Sequence, residues 1–271
     1  MRVRLDENDL RMMVDSAVRR LLNEGTDVLY HFTDLDGLIG IVRDNRFELT
    51  DNRKETEGGY VFSLSRTKTG GYLKTLLDFY NSWIVRLTLD GRKLNQRYKT
   101  YPIDDLYMYP EWVRNLEPEE KSRYRFGQFH WPKEKPGEKT ARDYEYEDRV
   151  VARTDEIPDA LSYIERIDIY IDDYRFNDPD VIGLVLGLAS KCLDRVHLYK
   201  NLRGFINQSP GGESPVTDLF SSYWYELSRA DISSLPGDVQ KMVKSACAEG
   251  YLVNCRDNGF RPDKAFLERF A

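Results

Sequence analysis

The stretch LYHFTDLDGLIGIVRDNRFEL, residues 29–49, decides the fold. With the two residues before it, its opening predicts a short apolar strand over residues 27–33, followed by a helix over about residues 34–44. One of only three histidines in the chain, His31, lies at the end of this strand between a tyrosine and a phenylalanine. A lone histidine in this position is either a hydrogen-bonded packing residue or a functional group.

Strand and helix patterns continue on both sides of this stretch. Upstream, apolar residues at helical spacing predict an amphipathic helix over residues 7–24, which Gly25 ends. Downstream, the sequence predicts strands at GYVFSLS (59–65), SWIVRLTLD (82–90), YEYEDRVVA (144–152) and IERIDIYI (164–171), a helix at about 70–80, and a hairpin-like turn at Asp90 and Gly91. From about residue 178 the pattern changes to helices, at about 178–190, 216–230, 235–249 and 262–270, with a linker or turn at SPGGESP, residues 209–215.

Length and composition indicate a folded, water-soluble protein. The chain has 271 residues, of which 41% are hydrophobic and 32% charged, with a net charge of -6. This charge argues against whole-molecule attraction to nucleic acid or anionic membranes, but not against a local basic site. No apolar run approaches the roughly 20 residues that cross a bilayer. The N-terminus lacks an apolar signal segment and the three cysteines lack metal-type spacing, so we expect a cytoplasmic protein without a metal.

Residues 113–144 break the strand and helix pattern and predict a long loop, which in a compact domain is usually functional or disordered. Between residues 121 and 142 this loop holds seven basic residues against two acidic ones, with aromatic residues interleaved. Charge that follows phosphates and rings that stack on bases are typical of single-stranded nucleic-acid binding. A solvated loop with an aromatic anchor is the alternative. The candidate acceptor-binding residues are Arg123, Tyr124, Arg125, Phe126, Phe129, His130 and Trp131.

Three separated pieces of sequence are candidates for one site, because each lies at the edge of a predicted strand. They are residues 30–33, the stretch GGYVFSLSRTKTGGY at 58–72, and EYEDRV at 145–150. Glu145 and Glu147 are two residues apart, so on a strand both point to one face. Taken alone, each piece also has a structural explanation, such as a packing histidine or a solvated edge strand. The case for function depends on their conjunction.

In this order and spacing the three pieces resemble ADP-ribosyltransferases of the diphtheria-toxin-like, poly(ADP-ribose)-polymerase-like class. LYHFTDLDGLIGIVRDNRFEL looks like the opening strand and helix of that class, and EYEDRV falls where the class places its catalytic glutamate. GGYVFSLSRTKTGGY resembles the second block, in which Phe62 and Tyr72 match aromatic positions and Val61 replaces a tyrosine. A closer likeness is to the DarT-like toxin branch, which ADP-ribosylates DNA, through FSLSR and IERIDI. The resemblance covers about residues 28–171.

The resemblance implies NAD as co-substrate and assigns roles to particular residues. Glu147 would stabilise the oxocarbenium-like charge that develops when nicotinamide leaves the ribose, and Glu145 would position the acceptor. His31 would hold the adenosine-side ribose, and the backbone of Phe32 would clamp the nicotinamide carboxamide. Tyr72 would stack on the nicotinamide ring and Arg66 would pair with the pyrophosphate. The candidate cofactor-binding set is His31, Phe32, Thr33, Phe62, Ser65, Arg66 and Tyr72.

We therefore predict an α+β protein with the split antiparallel β-sheets of an ADP-ribosyltransferase and flanking helices. Residues 1–177 would form the NAD-binding catalytic domain, and residues 178–271 a helical C-terminal region of unknown role. The predicted function is mono-ADP-ribosylation of DNA or RNA by a bacterial or phage-defence toxin, with an antitoxin as a candidate partner and no membrane contact. Two alternatives stay open: a protein-directed transferase or NAD glycohydrolase, and a non-enzymatic interaction protein with a degenerate transferase fold.

Overall fold

A mixed set of strands and helices makes up the part of the chain that the computed structural model describes, residues 28–53, 59–66, 68, 83–98, 100–103, 147–171 and 179–270. The strands are β1 Val28–Thr33, β2 Arg46–Glu48, β3 Thr50–Asn52, β4 Gly59–Ser65, β5 Trp83–Asp90, β6 Thr100–Ile103, β7 Glu147–Ala152, β8 Glu156–Pro158, β9 Ile164–Ile171, β10 Val196–Tyr199 and β11 Glu213–Ser214. The helices are α1 Leu35–Asp44, α2 Gly91–Arg97, α3 Pro179–Lys191, α4 Leu202–Asn207, α5 Thr217–Ser222, α6 Trp224–Leu227, α7 Gly237–Asp257 and α8 Lys264–Glu268. None of the helices in these ranges is long and apolar enough to span a membrane.

One large sheet organises these elements. Within the described ranges it has nine strands in the order β11-β10-β9-β5-β1-β4-β7-β6, and β3 pairs with β4 beside this path. Its strand pairs are antiparallel except for β9 and β10, which run parallel. Strands β2 and β8 form a separate antiparallel ladder. The predicted α+β class, dominated by antiparallel pairing, is therefore confirmed.

The large sheet is joined at its middle by a single residue pair. Tyr30 opposite Ser65 is the only register pair between β1 and β4 in the described residues, whereas six pairs join β1 to β5 and six join β4 to β7. A continued ladder would place Phe32 opposite Ser63, but the Ser63 carbonyl instead accepts a hydrogen bond from the ring of His31. Beyond Tyr30, β1 stays paired with β5 and leaves β4, so a gap divides the sheet into two halves, one containing β1 and the other β4.

Helix α1 covers the core side of β1 and has clear start and stop positions. The Asp34 side chain accepts a hydrogen bond from the backbone N–H of Gly37 at 2.9 Å, which caps the N-terminus. Asn45 ends the helix in the left-handed conformation, with φ of 52°. Between these caps, Leu38 and Val42 are almost fully buried in the core cluster that α1 shares with α3 and the sheet. The capped amphipathic helix thus fixes the end of β1 against the core.

The region after residue 178 is largely helical, as predicted, but it also supplies two strands to the large sheet. Strand β10 pairs in parallel with β9, and β11, which lies in the predicted linker SPGGESP, pairs with β10. Phe220 and Val243, from α5 and α7, belong to the same buried cluster as the sheet. The predicted boundary between residues 177 and 178 falls in a segment outside the described residues. The described C-terminal elements therefore extend the sheet and share its core.

The prediction of a hairpin-like turn at Asp90 and Gly91 is wrong, because a helix begins there. The Asp90 carboxylate accepts a hydrogen bond from the backbone N–H of Lys93 at 2.9 Å and caps a helix, α2, instead of closing a hairpin. The helix predicted over residues 216–230 is divided at Tyr223 into α5 and α6. The helices predicted over 7–24 and 70–80 and the loop at about 113–144 lie outside the described residues.

Two glycines of α1 offer a matched test of how closely this helix approaches β1. A Cβ on Gly37 would lie 1.9 Å from Thr33 Oγ1, whereas a Cβ on Gly40 would meet nothing within 4 Å. We expect Gly40→Ala to raise the free energy of unfolding by about 0.5–1 kcal/mol, because alanine favours the helix. Gly37→Ala should lower it by about 1 kcal/mol, because the added methyl group must displace the Thr33 side chain. Urea unfolding measures both, and an equal gain in the two variants would contradict the close approach.

Candidate active site

His31 lies in the gap between the two halves of the sheet and packs against two phenylalanines. Its ring centroid is 4.5 Å from that of Phe62 at 37° and 6.2 Å from that of Phe47 in an edge-on contact. The two phenylalanine rings stack on each other at 4.6 Å. These contacts and the hydrogen bond to β4 restrict the orientation of the imidazole.

The protonation state of His31 follows from this environment. Its Nδ1–H donates to the Ser63 carbonyl at 3.0 Å, which leaves Nε2 of the neutral ring as an acceptor. Burial lowers the pKa of His31 to about 4, and the hydrogen bond to Ser63 opposes this only in part. In the described part of the chain, Nε2 has no hydrogen-bond partner. At neutral pH the gap therefore holds an uncharged acceptor for a hydroxyl or N–H group.

The lowered pKa of His31 predicts a pH dependence of stability. The unfolded chain takes up a proton at this residue near the ordinary value of 6.5, whereas the folded chain does so only near pH 4. Acid therefore favours the unfolded state, and the free energy of unfolding should fall as the pH drops from 6.5 to 4. Thermal or urea unfolding should show a smaller fall in His31→Gln, which can still donate to Ser63. Equal pH profiles of the two proteins would contradict a neutral His31, as would a ring NMR titration midpoint near 6.5.

Two clefts have His31 in their lining. The first is lined by the facing edges of β1 and β4, including Tyr30, Phe32, Ser63 and Ser65. The second is lined by Thr33, Phe47 and the first half of α1, with Asp36, Gly37 and Gly40. His31, Phe62 and Glu48 line both clefts.

Arg66 directly follows β4 and is held by a carboxylate on β7. Its Nε donates to Asp148 Oδ1 at 2.9 Å, and its Nη2 contacts the same oxygen. The Asp148 side chain is 4% exposed and that of Arg66 is 22% exposed, so the guanidinium reaches the surface from a buried anchor. Its Nη1 has no acceptor among the described residues. Arg66 can therefore donate to an anion without losing its protein partner.

Glu147, the predicted catalytic residue, begins strand β7. Its Cα lies opposite Ser65, and Ser65 lies opposite Tyr30, so the three form one row across the middle of the sheet. Two interstrand spacings, about 10 Å, separate β1 and β7 in this row. The three sequence pieces that suggested a common site thus converge where the sheet separates.

The remaining predicted site residues either line the two clefts or lie outside the described residues. The Phe32 side chain packs in a separate cluster with Ile84, Tyr199 and Phe205. Ser65 is buried in the central row and Thr33 lines the second cleft. The residues outside the description are Glu145, Tyr72, Arg123, Tyr124, Arg125, Phe126, Phe129, His130 and Trp131.

Three contributors to the site were missed by sequence inspection. The Ser63 carbonyl is a backbone group, so the sequence gives no sign of its bond to His31. Phe47 belongs to the short strand β2, which has too few residues to show a period. Asp148 is the residue after Glu147, the predicted catalytic residue. Its contact with Arg66 depends on the pairing of β4 with β7, which the sequence does not show.

Comparisons of the chain with protein-family models, with curated proteins and with solved structures found no match. Among the described residues, no group of three or more histidine, cysteine, aspartate or glutamate side chains is placed to hold a metal ion. The function of the site therefore has to follow from the chemistry of its own residues.

Proposed function

We propose that the protein is an NAD-dependent mono-ADP-ribosyltransferase and that its two half-sheets are the split antiparallel sheets of that class. The observation that carries the proposal is the convergence of three distant pieces of sequence. His31, Arg66 and the backbone of Glu147 meet where β1 leaves β4. These are the pieces whose order and spacing resemble the transferases, and the gap between the half-sheets is where a dinucleotide would bind.

The chemistry of the described residues fits NAD. The neutral imidazole of His31 offers an acceptor for a ribose hydroxyl, which a protonated ring does not. The anchored guanidinium of Arg66 suits pyrophosphate oxygens, since its planar fork matches their geometry. Two clefts share His31 and Phe62 in their linings, and the two halves of the ligand would occupy them.

The reaction breaks the bond between nicotinamide and ribose and transfers ADP-ribose to an acceptor. As in glycoside hydrolysis, positive charge develops on the ribose carbon, and a nearby carboxylate stabilises it. Glu147, the first residue of β7, would supply this charge, and Glu145 would orient the attacking group. The acceptor's proton leaves as the new bond to ribose forms.

Nucleic acid is the proposed acceptor, because residues 121–142 combine seven basic residues with interleaved aromatics in an otherwise acidic chain. Binding should then weaken steeply with salt, since contacts to phosphates release counterions. By its resemblance to DarT-like proteins, the enzyme would act as a cytoplasmic toxin in phage defence, paired with an antitoxin. This biological role comes from the likeness alone.

The deciding experiment measures nicotinamide release from NAD with single-stranded DNA, RNA, a protein extract or buffer alone. We expect release that requires nucleic acid, with ADP-ribose recovered on it. Release with protein alone would redirect the proposal to protein acceptors, and release in buffer alone would indicate a glycohydrolase. With no release and no rise in thermal stability on adding NAD, the interaction-protein alternative would replace the enzyme.

A further inference from the structure

A fully buried arginine lies in the middle of the large sheet. Arg86 of β5 and Asp168 of β9 are both 0% exposed, and Arg86 Nε and Nη2 donate to Asp168 Oδ2 at 3.2 and 3.1 Å. The guanidinium also donates to two backbone carbonyls, those of Lys68 at 2.7 Å and Phe205 at 2.8 Å. The ring of Phe205 lies 4.7 Å from its central carbon. Every nitrogen of this guanidinium therefore has a protein partner.

Core stability does not explain this arrangement. Burying an ion pair costs desolvation that its attraction often fails to recover, and apolar residues of similar size serve a core at least as well. Unlike an apolar residue, Arg86 donates hydrogen bonds to two backbone carbonyls. One of them, on Lys68, lies two residues beyond Arg66, where the chain has left β4.

We propose that Arg86 is a positioning residue of the candidate active site. Through the Lys68 carbonyl it fixes the backbone beside Arg66, and Asp168 holds the guanidinium in the orientation this requires. Two contacts then fix the position of Arg66. Asp148 binds its guanidinium, and Arg86 binds the backbone two residues further along the chain. The inference deepens the proposed function and rests on it for the identity of the ligand.

The same network gives the C-terminal elements a role in the site. Asp168 accepts further hydrogen bonds from Arg166 Nε at 2.7 Å and Gln208 Nε2 at 2.8 Å. Arg166 is in turn bound to Glu213 of β11, and Phe205 of α4 covers Arg86. Phe205, Gln208 and Glu213 therefore contact the ion pair directly or through Arg166. The region after residue 178 supports the position of Arg66 through Asp168 and Arg86.

The test compares Arg86→Lys with Arg195→Lys in the full chain. Arg195 also donates to two backbone carbonyls, those of Leu161 and Ile164, but has no contact with the site. Lysine keeps the charge beside Asp168 but cannot reach both carbonyls. In Arg86→Lys we expect amide hydrogen exchange in peptides containing Arg66 and Lys68 to be about tenfold faster. NAD affinity should fall by about fivefold, as expected for the loss of a positioning hydrogen bond.

The control Arg195→Lys should leave exchange at Arg66 and Lys68 and the affinity for NAD unchanged. Unchanged exchange in folded Arg86→Lys would overturn the inference, as would faster exchange with wild-type NAD affinity or an equal response in the control. If wild type binds no NAD, the proposed function fails, while the exchange data still decide whether Arg86 holds Lys68. If Arg86→Lys does not fold, Arg86→Gln, which leaves Asp168 paired with Arg166, carries the same expectations.

Discussion

Glu147→Gln should lower the rate of nicotinamide release by about 100-fold or more, which is typical for losing a group that stabilises transition-state charge. The amide has the same size and keeps hydrogen-bonding capacity, but it carries no negative charge for the oxocarbenium-like ribose. NAD affinity should stay within about threefold, because charge on the ribose develops only in the transition state. Steady-state release measures kcat, and calorimetric titration measures the affinity.

The matched control is Asp148→Asn, the same change at the next residue of β7. Asp148 holds Arg66, so its loss should loosen the pyrophosphate contact and raise KM by about tenfold, with a smaller effect on kcat. Asp148 is bound to Arg66, whereas Glu147 carries the proposed catalytic charge, so the two neighbouring carboxylates are expected to act differently. If Asp148→Asn abolishes turnover and Glu147→Gln does not, the catalytic carboxylate is wrongly assigned.

The predicted and observed folds agree where strands are long and apolar and differ where elements are short. Strands β5 and β9 have eight residues each, rich in isoleucine, leucine and valine, and their pattern identifies them. Strands β2, β3 and β8 have three residues each, too few to show a period. The dipeptide Asp90-Gly91 is as typical of a helix start as of a turn, and only the bond from Lys93 decides between them.

The candidate site shows the same division between local and long-range information. The sequence alone made His31 a candidate site residue, because a rare histidine at the end of a predicted strand is a local pattern. The pairing of Arg66 with Asp148 spans 82 residues and depends on the register of β4 with β7, which the sequence does not reveal. Arg86 lies in the stretch SWIVRLTLD, which identified a strand but not a partner for this charge, and its ion pair with Asp168 emerges only from the pairing of β5 with β9.

Asp168→Ala should lower the free energy of unfolding by about 3–5 kcal/mol, because it leaves a buried charge without its partner. Arg86 would lose its carboxylate in a site with no exposure, and Arg166 would lose a hydrogen bond of 2.7 Å. The contrast is Asp51→Ala, which breaks a two-bond contact with Arg53 whose side chains are 51% and 59% exposed. That change should leave the free energy of unfolding nearly unchanged, since water replaces the exposed partner.

Removing both charges tests the cause of this loss directly. If the penalty comes from the stranded guanidinium, the double variant Arg86→Met with Asp168→Leu should be more stable than Asp168→Ala by about 1–3 kcal/mol. Its NAD affinity should nevertheless stay below that of wild type, because the Lys68 carbonyl has lost its donor. Recovery of stability together with full affinity would mean that the buried pair serves the core alone. A loss in Asp168→Ala no larger than in Asp51→Ala would mean that Arg86 is not buried as the sheet places it.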